Sequence, residues 1–423
     1  MKQLLVFQGP CSSRSGYGDH SRDLVRSLIA MDKFDIKIID LRWGDCPRNS
    51  LSDRDTDISS RILSSNLDRQ PDIFVQVSVP NEFQPIGKFN IGITAGIETT
   101  VCAPEWIEGC NRMNLIVVPS KHAKTVFEQT YFDKMNKQTK QKEGELRCTT
   151  PIEVLFEGAD LNIWHKTDEI SKTVDDKLKT IPEDFCFLYV GHWLQGDEGH
   201  TRKDTGSLIR TFCNTFKGGS YRKRPALILK TSSATFSVMD REDILRKIRA
   251  IRNNIPNAPN VYLIHGDLEQ VELNSLYNHP KVKAHISFTK GEGFGRPLLE
   301  ASLSGRPVIA TNWSGHVDFL SPHSVLLPGE VRQIHPSAIV QGIMMPESGW
   351  FYVNYNYASK VMKDVFKNYK KYLPPAMSQL RHSKKYFSLE QMNVEMADLV
   401  NKYVTEHVEI QLPKLQLPKL QKA

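Results

Sequence analysis

Two parallel α/β sheets in tandem, each doubly wound with helices on both faces, are the architecture this chain predicts. Short apolar runs alternate with amphipathic segments over the first part of the chain. The alternation starts afresh after a polar, charged stretch from His165 to Thr180, and 423 residues exceed what one ordinary core can organise. In the first series the strand candidates are Gln3 to Gln8, Asp35 to Asp40, Ile73 to Val77, Phe89 to Ile93, Leu115 to Val118 and Ile152 to Phe156. Helices fit between them at Asp19 to Met31, Asp57 to Leu67 and Lys121 to Thr130. The second series has strands at Phe185 to Val190, Ala226 to Lys230, Val261 to Ile264, Ala284 to Phe288 and Val308 to Thr311. Its helices are expected at Thr205 to Phe216, Arg241 to Ile251, Leu268 to Asn278, Pro297 to Leu303 and near His316 to Leu320. Such repeats build parallel sheets through right-handed crossovers, and ligands bind beyond the carboxyl ends of the strands.

These periods divide the chain into a first domain over 1–164 and a second over 165–388, facing across a cleft, with a further helix near 389–406. Leu389 to Val404 carries Met392, Met396, Leu399, Val400 and Tyr403 at helical spacing. The tail, 407–423, repeats a five-residue Gln-Leu-Pro-Lys-Leu unit whose prolines rule out continuous helix, so a flexible segment is expected there. A second flexible insert is expected over Tyr131 to Leu146, where Lys134, Lys137, Lys140 and Lys142 crowd a segment of little apolar content.

Composition excludes several classes. Hydrophobic residues at 40% and charged residues at 24% describe a globular, ordered protein. A formal charge of +7 suits anionic small ligands and falls short of a nucleic-acid binder, and no zinc-finger spacing or RNA-binding aromatic motif is present. The seven cysteines are scattered, odd in number and without metal-ligand pairing, which reads as free thiols in a reducing compartment. No apolar run reaches the length of a membrane span, and Leu4 to Phe7 is too short for a signal-peptide core, so a cytoplasmic protein is expected. The segment 120–147, with seven Lys/Arg against four acids, is a candidate for peripheral contact with an anionic membrane face; the plainer reading is a solvated face and loop.

The densest chemistry lies in Lys290-Gly-Glu-Gly-Phe-Gly-Arg-Pro-Leu-Leu-Glu-Ala301, a strand, a glycine turn and a helix opened by Pro297 and closed at Gly305. Gly291, Gly293 and Gly295 strip side chains from the turn so that a ligand can approach its N–H groups. Glu292 and Glu300 are separated by seven residues, and the helix dipole is expected to favour the ionised form of Glu300. Carboxylates beside free N–H donors suit a polyhydroxylated, phosphorylated ligand; a glycine-rich connection with two surface acids is the bland alternative. Gly16 and Gly18 stand before the first helix, a weaker anion-site signal of the same kind. In the second series Gly191-His192 follows the first strand, Arg202 and Lys203 precede the next helix, and Lys230 closes the following strand, so cations converge at strand ends. His316 and Asp318 read as structural caps, and Trp106, Trp164, Trp193 and Trp350 as core residues before sugar-stacking ones.

Taken together, Gly16-Tyr-Gly18, Arg202-Lys203, Lys230, the Gly291 to Glu300 block, Gly305-Arg-Pro-Val-Ile-Ala310 and Asn312-Trp-Ser-Gly-His316 resemble the retaining glycosyltransferases of family 4. The resemblance covers the second domain well and the first loosely. It implies the GT-B fold, two Rossmann-like domains with a C-terminal helix crossing back to the first, and transfer of a sugar from a nucleotide-diphosphate sugar to a hydroxyl acceptor such as a glycan. It implies that Glu292 faces the donor sugar, that Gly293, Phe294 and Gly295 line the sugar and distal phosphate, and that Glu300 takes the ribose. Arg202, Lys203 and Lys230 would neutralise the diphosphate, with no metal or other cofactor required. Two departures stand out. His192 occupies the place of an arginine common in the family, and Glu98 stands where many members put a histidine of the first domain. A glycosidase, a nucleotide-sugar epimerase and a non-catalytic two-lobed sugar-binding protein are the competing readings. A glycosidase has no use for lysines at helix starts, and an exported binding protein would carry a signal sequence.

Overall fold

The computed structural model describes residues 2–404 apart from 137, 195, 219–222, 234–235 and 321. The expected tail at 407–423 and Lys137 lie outside the described residues. The first sheet holds β1 (Gln3–Gly9), β2 (Phe34–Asp40), β3 (Ile73–Val77), β4 (Phe89–Ile93), β5 (Leu115–Val118) and, past a separate hairpin of β6 (Tyr131–Met135) and β7 (Lys142–Arg147), β8 (Ile152–Val154). Its order is β2-β1-β3-β4-β5-β8, all parallel. The second holds β9 (Cys186–Val190), β10 (Ala226–Lys230), β11 (Val261–Ile264), β12 (Val282–Ile286), β13 (Val308–Thr311) and β14 (Val325–Leu327), in the parallel order β11-β10-β9-β12-β13-β14. Runs such as Ala226-Leu-Ile-Leu229 are buried along their whole length because helices cover both faces. A second hairpin, β15 (Gly329–Gln333) with β16 (Gly349–Val353), follows.

The helices are α1 (Gly16–Ala30), α2 (Thr56–Ser59), α3 (Pro104–Cys110), α4 (Lys121–Gln129), α5 (Lys172–Lys179), α6 (Thr205–Phe216), α7 (Val238–Asn253), α8 (Gln270–Asn278), α9 (Arg296–Ser302), α10 (Val317–Leu320), α11 (Tyr355–Lys367), α12 (Tyr369–Tyr386) and α13 (Leu389–Tyr403). Among the described residues no helix is long and apolar enough to cross a membrane. The final helix packs on α1, with Ser27 bonded to Asn393 and both Lys402 and Tyr403 reaching Glu153 of β8 at 2.6 Å.

Two expectations are corrected. The helix expected over 57–67 is one turn, α2, after which Ile62 bridges to Ile38 of β2 and the chain follows turns and bends rather than helix. The insert expected to be flexible at 131–146 is instead the β6–β7 hairpin. Lys142 pairs with Asp133 at 2.7 Å across it, and the Arg147 guanidinium lies 4.4 Å from the Tyr131 ring centroid, so polar pairing substitutes for apolar burial.

Candidate active site

In each sheet the chain runs outward from its first strand and then returns to that strand's other side. The reversal falls between β1 and β3 in one sheet and between β9 and β12 in the other. The crevice beyond the carboxyl ends at such a point is where ligands lodge in open α/β sheets. Beyond β12 stands the Gly291 to Gly295 turn, and beyond β9 stands the 191–204 loop. Lys290 N–H donates to Arg202 O at 2.7 Å and ties the two together.

Glu292 is 6% exposed, which rules out a surface acid. Its Oε1 accepts from Lys203 Nζ and its Oε2 from Arg202 Nη1 at 3.3 Å, while its N–H donates to Ser314 Oγ at 2.9 Å. Burial pushes this carboxyl up, but Lys203 and Arg202 overcome it and hold the group at about 2, so Glu292 is ionised at neutral pH. Burial lowers the Lys203 ammonium and Glu292 opposes it. Arg202 also lies 3.4 Å from Glu98, whose loop comes from the first domain, so two cations meet two acids across the cleft. The domains touch here: a Cβ on Gly291 would lie 2.0 Å from Glu98 O, and one on Gly293 1.7 Å from Ala95 O. A cavity of about 10 Å³, room for one water, adjoins this contact between Glu98, Trp106 and Met344.

Glu300 is equally buried and behaves in the opposite way. Burial raises its carboxyl to about 8, against the pull of Arg296 at 3.5 Å. The expectation that the helix dipole keeps it ionised is therefore corrected, since desolvation outweighs a dipole contribution of about 1 kcal/mol. Tyr277 donates to Glu300 Oε2 at 3.3 Å.

The remaining residues divide. Desolvation first, and then Lys203, Arg202 and Lys230, lower the imidazole of His192, just past β9. Lys230 Nζ itself donates to Gly266 O at 2.8 Å. Gly295 sits at φ 101°, a conformation that favours glycine, and starts α9 with Pro297 in its first turn. Phe294 is a core residue against Phe319. Gly18 is required by its own loop, since a Cβ there would lie 2.1 Å from Ser13 O, whereas Gly16 faces open space. Trp106, Trp164, Trp193 and Trp350 are all buried in hydrophobic clusters. Asp318 does cap a helix, but across the cleft: its Oδ2 accepts from Lys121 N–H of α4 at 2.8 Å.

Sequence reasoning missed three contributors. Lys290, fully buried, pairs with Asp204 at 2.9 Å and lies 3.7 Å from the Tyr352 ring centroid, fixing the residue after Lys203. Trp313 and His122 meet edge to face across the cleft at 4.7 Å, and burial lowers His122 to about 4. A lysine opening the glycine block was the available signal for the first. His122 and Trp313, 191 positions apart in the chain by their numbering, left none.

No protein-family model and no curated protein sequence matches the chain. Solved structures do. Sucrose-phosphate synthase from Thermosynechococcus elongatus aligns with a TM-score of 0.62 at 11% identity, covering 95% of this chain and 99% of that one. The fold is GT-B. Anabaena HepE in complex with UDP and glucose aligns at 0.58 and 12% identity, over 95% of this chain and 100% of its own. A trehalose-phosphate synthase from Burkholderia xenovorans, in complex with glucose-6-phosphate, aligns at 0.61 and 11% identity over the same shares. The GT-B assignment accounts for the paired sheets, and identities this low carry the architecture alone.

Proposed function

We propose that this chain is a metal-independent, retaining glycosyltransferase of the family 4 type, moving a sugar from a nucleoside diphosphate donor to a hydroxyl of a glycan acceptor. One observation carries the reading. At the strand reversal of the second sheet a buried carboxylate, Glu292, is kept ionised by the buried Lys203 and the half-buried Arg202, and Arg202 also reaches Glu98 of the opposite domain. A glycosidic bond to diphosphate breaks by charge separation, with positive charge on the sugar and negative charge on the leaving group. Glu292 would hold sugar hydroxyls and the developing positive charge; Lys203, Arg202 and Lys230 would bind the diphosphate more strongly as its charge grows. The acceptor's proton would pass to a phosphate oxygen on the face the diphosphate leaves, which retains configuration. Glu300 would accept from the ribose diol, and Glu98 would face the acceptor. Contact between Gly293 and Ala95 would keep water from the donor. The HepE complex supports UDP-sugars as the first donors to test. The proposed setting is the cytoplasm, with 120–147 as the candidate peripheral membrane contact.

The experiment is incubation with labelled UDP-, GDP- and ADP-sugars, with and without glycan acceptors. Transfer, or slow donor hydrolysis abolished by Glu292→Gln, is the expected result. If every donor leaves both the melting temperature and the label unchanged, the proposal fails.

A further inference from the structure

Arg296, the first residue of α9, stands between the domains. Its Nη2 lies 2.8 Å from Asp23 Oδ2 of α1, its Nη1 3.8 Å from Glu157 Oε2 beyond β8, and its Nε 3.5 Å from Glu300 Oε1 in its own helix. Asp23, Glu157 and Glu300 are 9%, 6% and 6% exposed. One guanidinium therefore faces three buried carboxyls, two of them from the opposite domain. By contrast, Arg202 and Lys203 meet Glu98 and Glu292 two against two, and Arg14 meets Asp267 singly. A buried set with excess negative charge sheds it by binding protons.

We infer that Arg296 is the positioning residue that draws the first domain onto the second, and that closing the cleft there takes up protons. The surrounding groups agree. Burial raises Glu157 to about 7, Glu300 to about 8 and Asp23 above its ordinary range, with Arg296 opposing in each case. From α1, Asp19 adds negative charge, Arg22 is turned to Cys11 O, Ser13 O and Asp19, and burial then Arg296 keep His20 neutral down to about 3. Tyr277 of α8 contributes a neutral hydroxyl, and Glu292 of the glycine turn adds to the negative field at Glu157. Parting the domains returns Asp23 and Glu157 to water and toward ordinary carboxyl values. The closed form thus binds more protons, and closure weakens as pH rises from the ordinary carboxyl range to about 7 for Glu157 and about 8 for Glu300. The inference rests on the proposed function only for what the cleft admits when it parts.

Small-angle scattering on the full chain without ligand tests it. The expected result is a radius of gyration that grows between about pH 4.5 and about pH 8. Glu157→Gln should shift the midpoint up, and Arg296→Gln should shift it down, each by about one unit. A radius that stays flat with pH in the native chain, or midpoints that coincide in all three proteins, overturns the inference. Either result leaves the donor assays untouched, so the two readings fail separately.

Discussion

Glu292 and Glu300 are the same residue type, equally buried and on one short segment, yet they titrate in opposite directions. Burial acts on both; the number of cations per acid separates them. Glu292 has Lys203 and Arg202, while Glu300 shares one Arg296 with Asp23 and Glu157. Divergent values in neighbouring carboxyls are what a site with two distinct acid roles needs. Glu292→Gln should lower sugar transfer by about 100-fold or more, read as initial rate with the donor found by screening, while the circular dichroism stays native. Glu300 and Glu157 titrate higher folded than unfolded, so their contribution to stability is full below about 4.5 and is lost as pH rises to about 8. Urea midpoints of Glu300→Gln should accordingly fall less steeply over that window than those of the native chain. The spacing of the two acids was legible in the sequence. Their partners were not, because Lys203 lies 89 positions from Glu292 and only the fold brings them together.

Among the elements, the buried strands were the most legible. Ile73–Val77, Phe89–Ile93, Leu115–Val118, Ala226–Lys230, Val261–Ile264 and Val308–Thr311 appear with the bounds their apolar runs predict. A strand covered on both faces must be apolar throughout, and that leaves an unmistakable run. The α12 helix was missed because Pro374 and Pro375 lie inside it, where proline costs an internal hydrogen bond. Its buried Ala376, Gln379 and Ser383 and its contacts with α9 and α10 outweigh that cost. The hairpins escaped notice for the reverse reason: β6, β7 and β15 are mostly exposed, so no apolar period marks them. The returning helix α13 is anchored by Met392 and Met396, both fully buried. Met396→Ala should cost about 2–5 kcal/mol, measured by urea denaturation, by leaving a cavity in the core that joins α13 to the first domain.

For the molecule as a whole, the cleft is a contact between two halves, and its geometry makes closure testable. A methyl at position 293 would sit 1.7 Å from Ala95 O, so Gly293→Ala should hold the domains apart. The expected signature is an enlarged radius of gyration at every pH together with a loss of transfer, while each half keeps its own core. The proposed mechanism draws its positive charge from Lys203, Arg202 and Lys230. Turnover should therefore survive EDTA, and a rate that collapses on chelation and returns with a divalent cation would sink the metal-independent reading.

Local order was written into the residues themselves: paired series of parallel strands, glycine turns before helices, and acids and cations at strand ends follow from period, propensity and composition over short stretches. Which charges meet was decided only when the two sheets faced each other. Long-range electrostatics depends on burial and on distances that the chain's linear order does not contain. The opposite fates of Glu292 and Glu300, the Asp318 cap on α4 and the Arg296 cluster therefore belong to the tertiary structure alone.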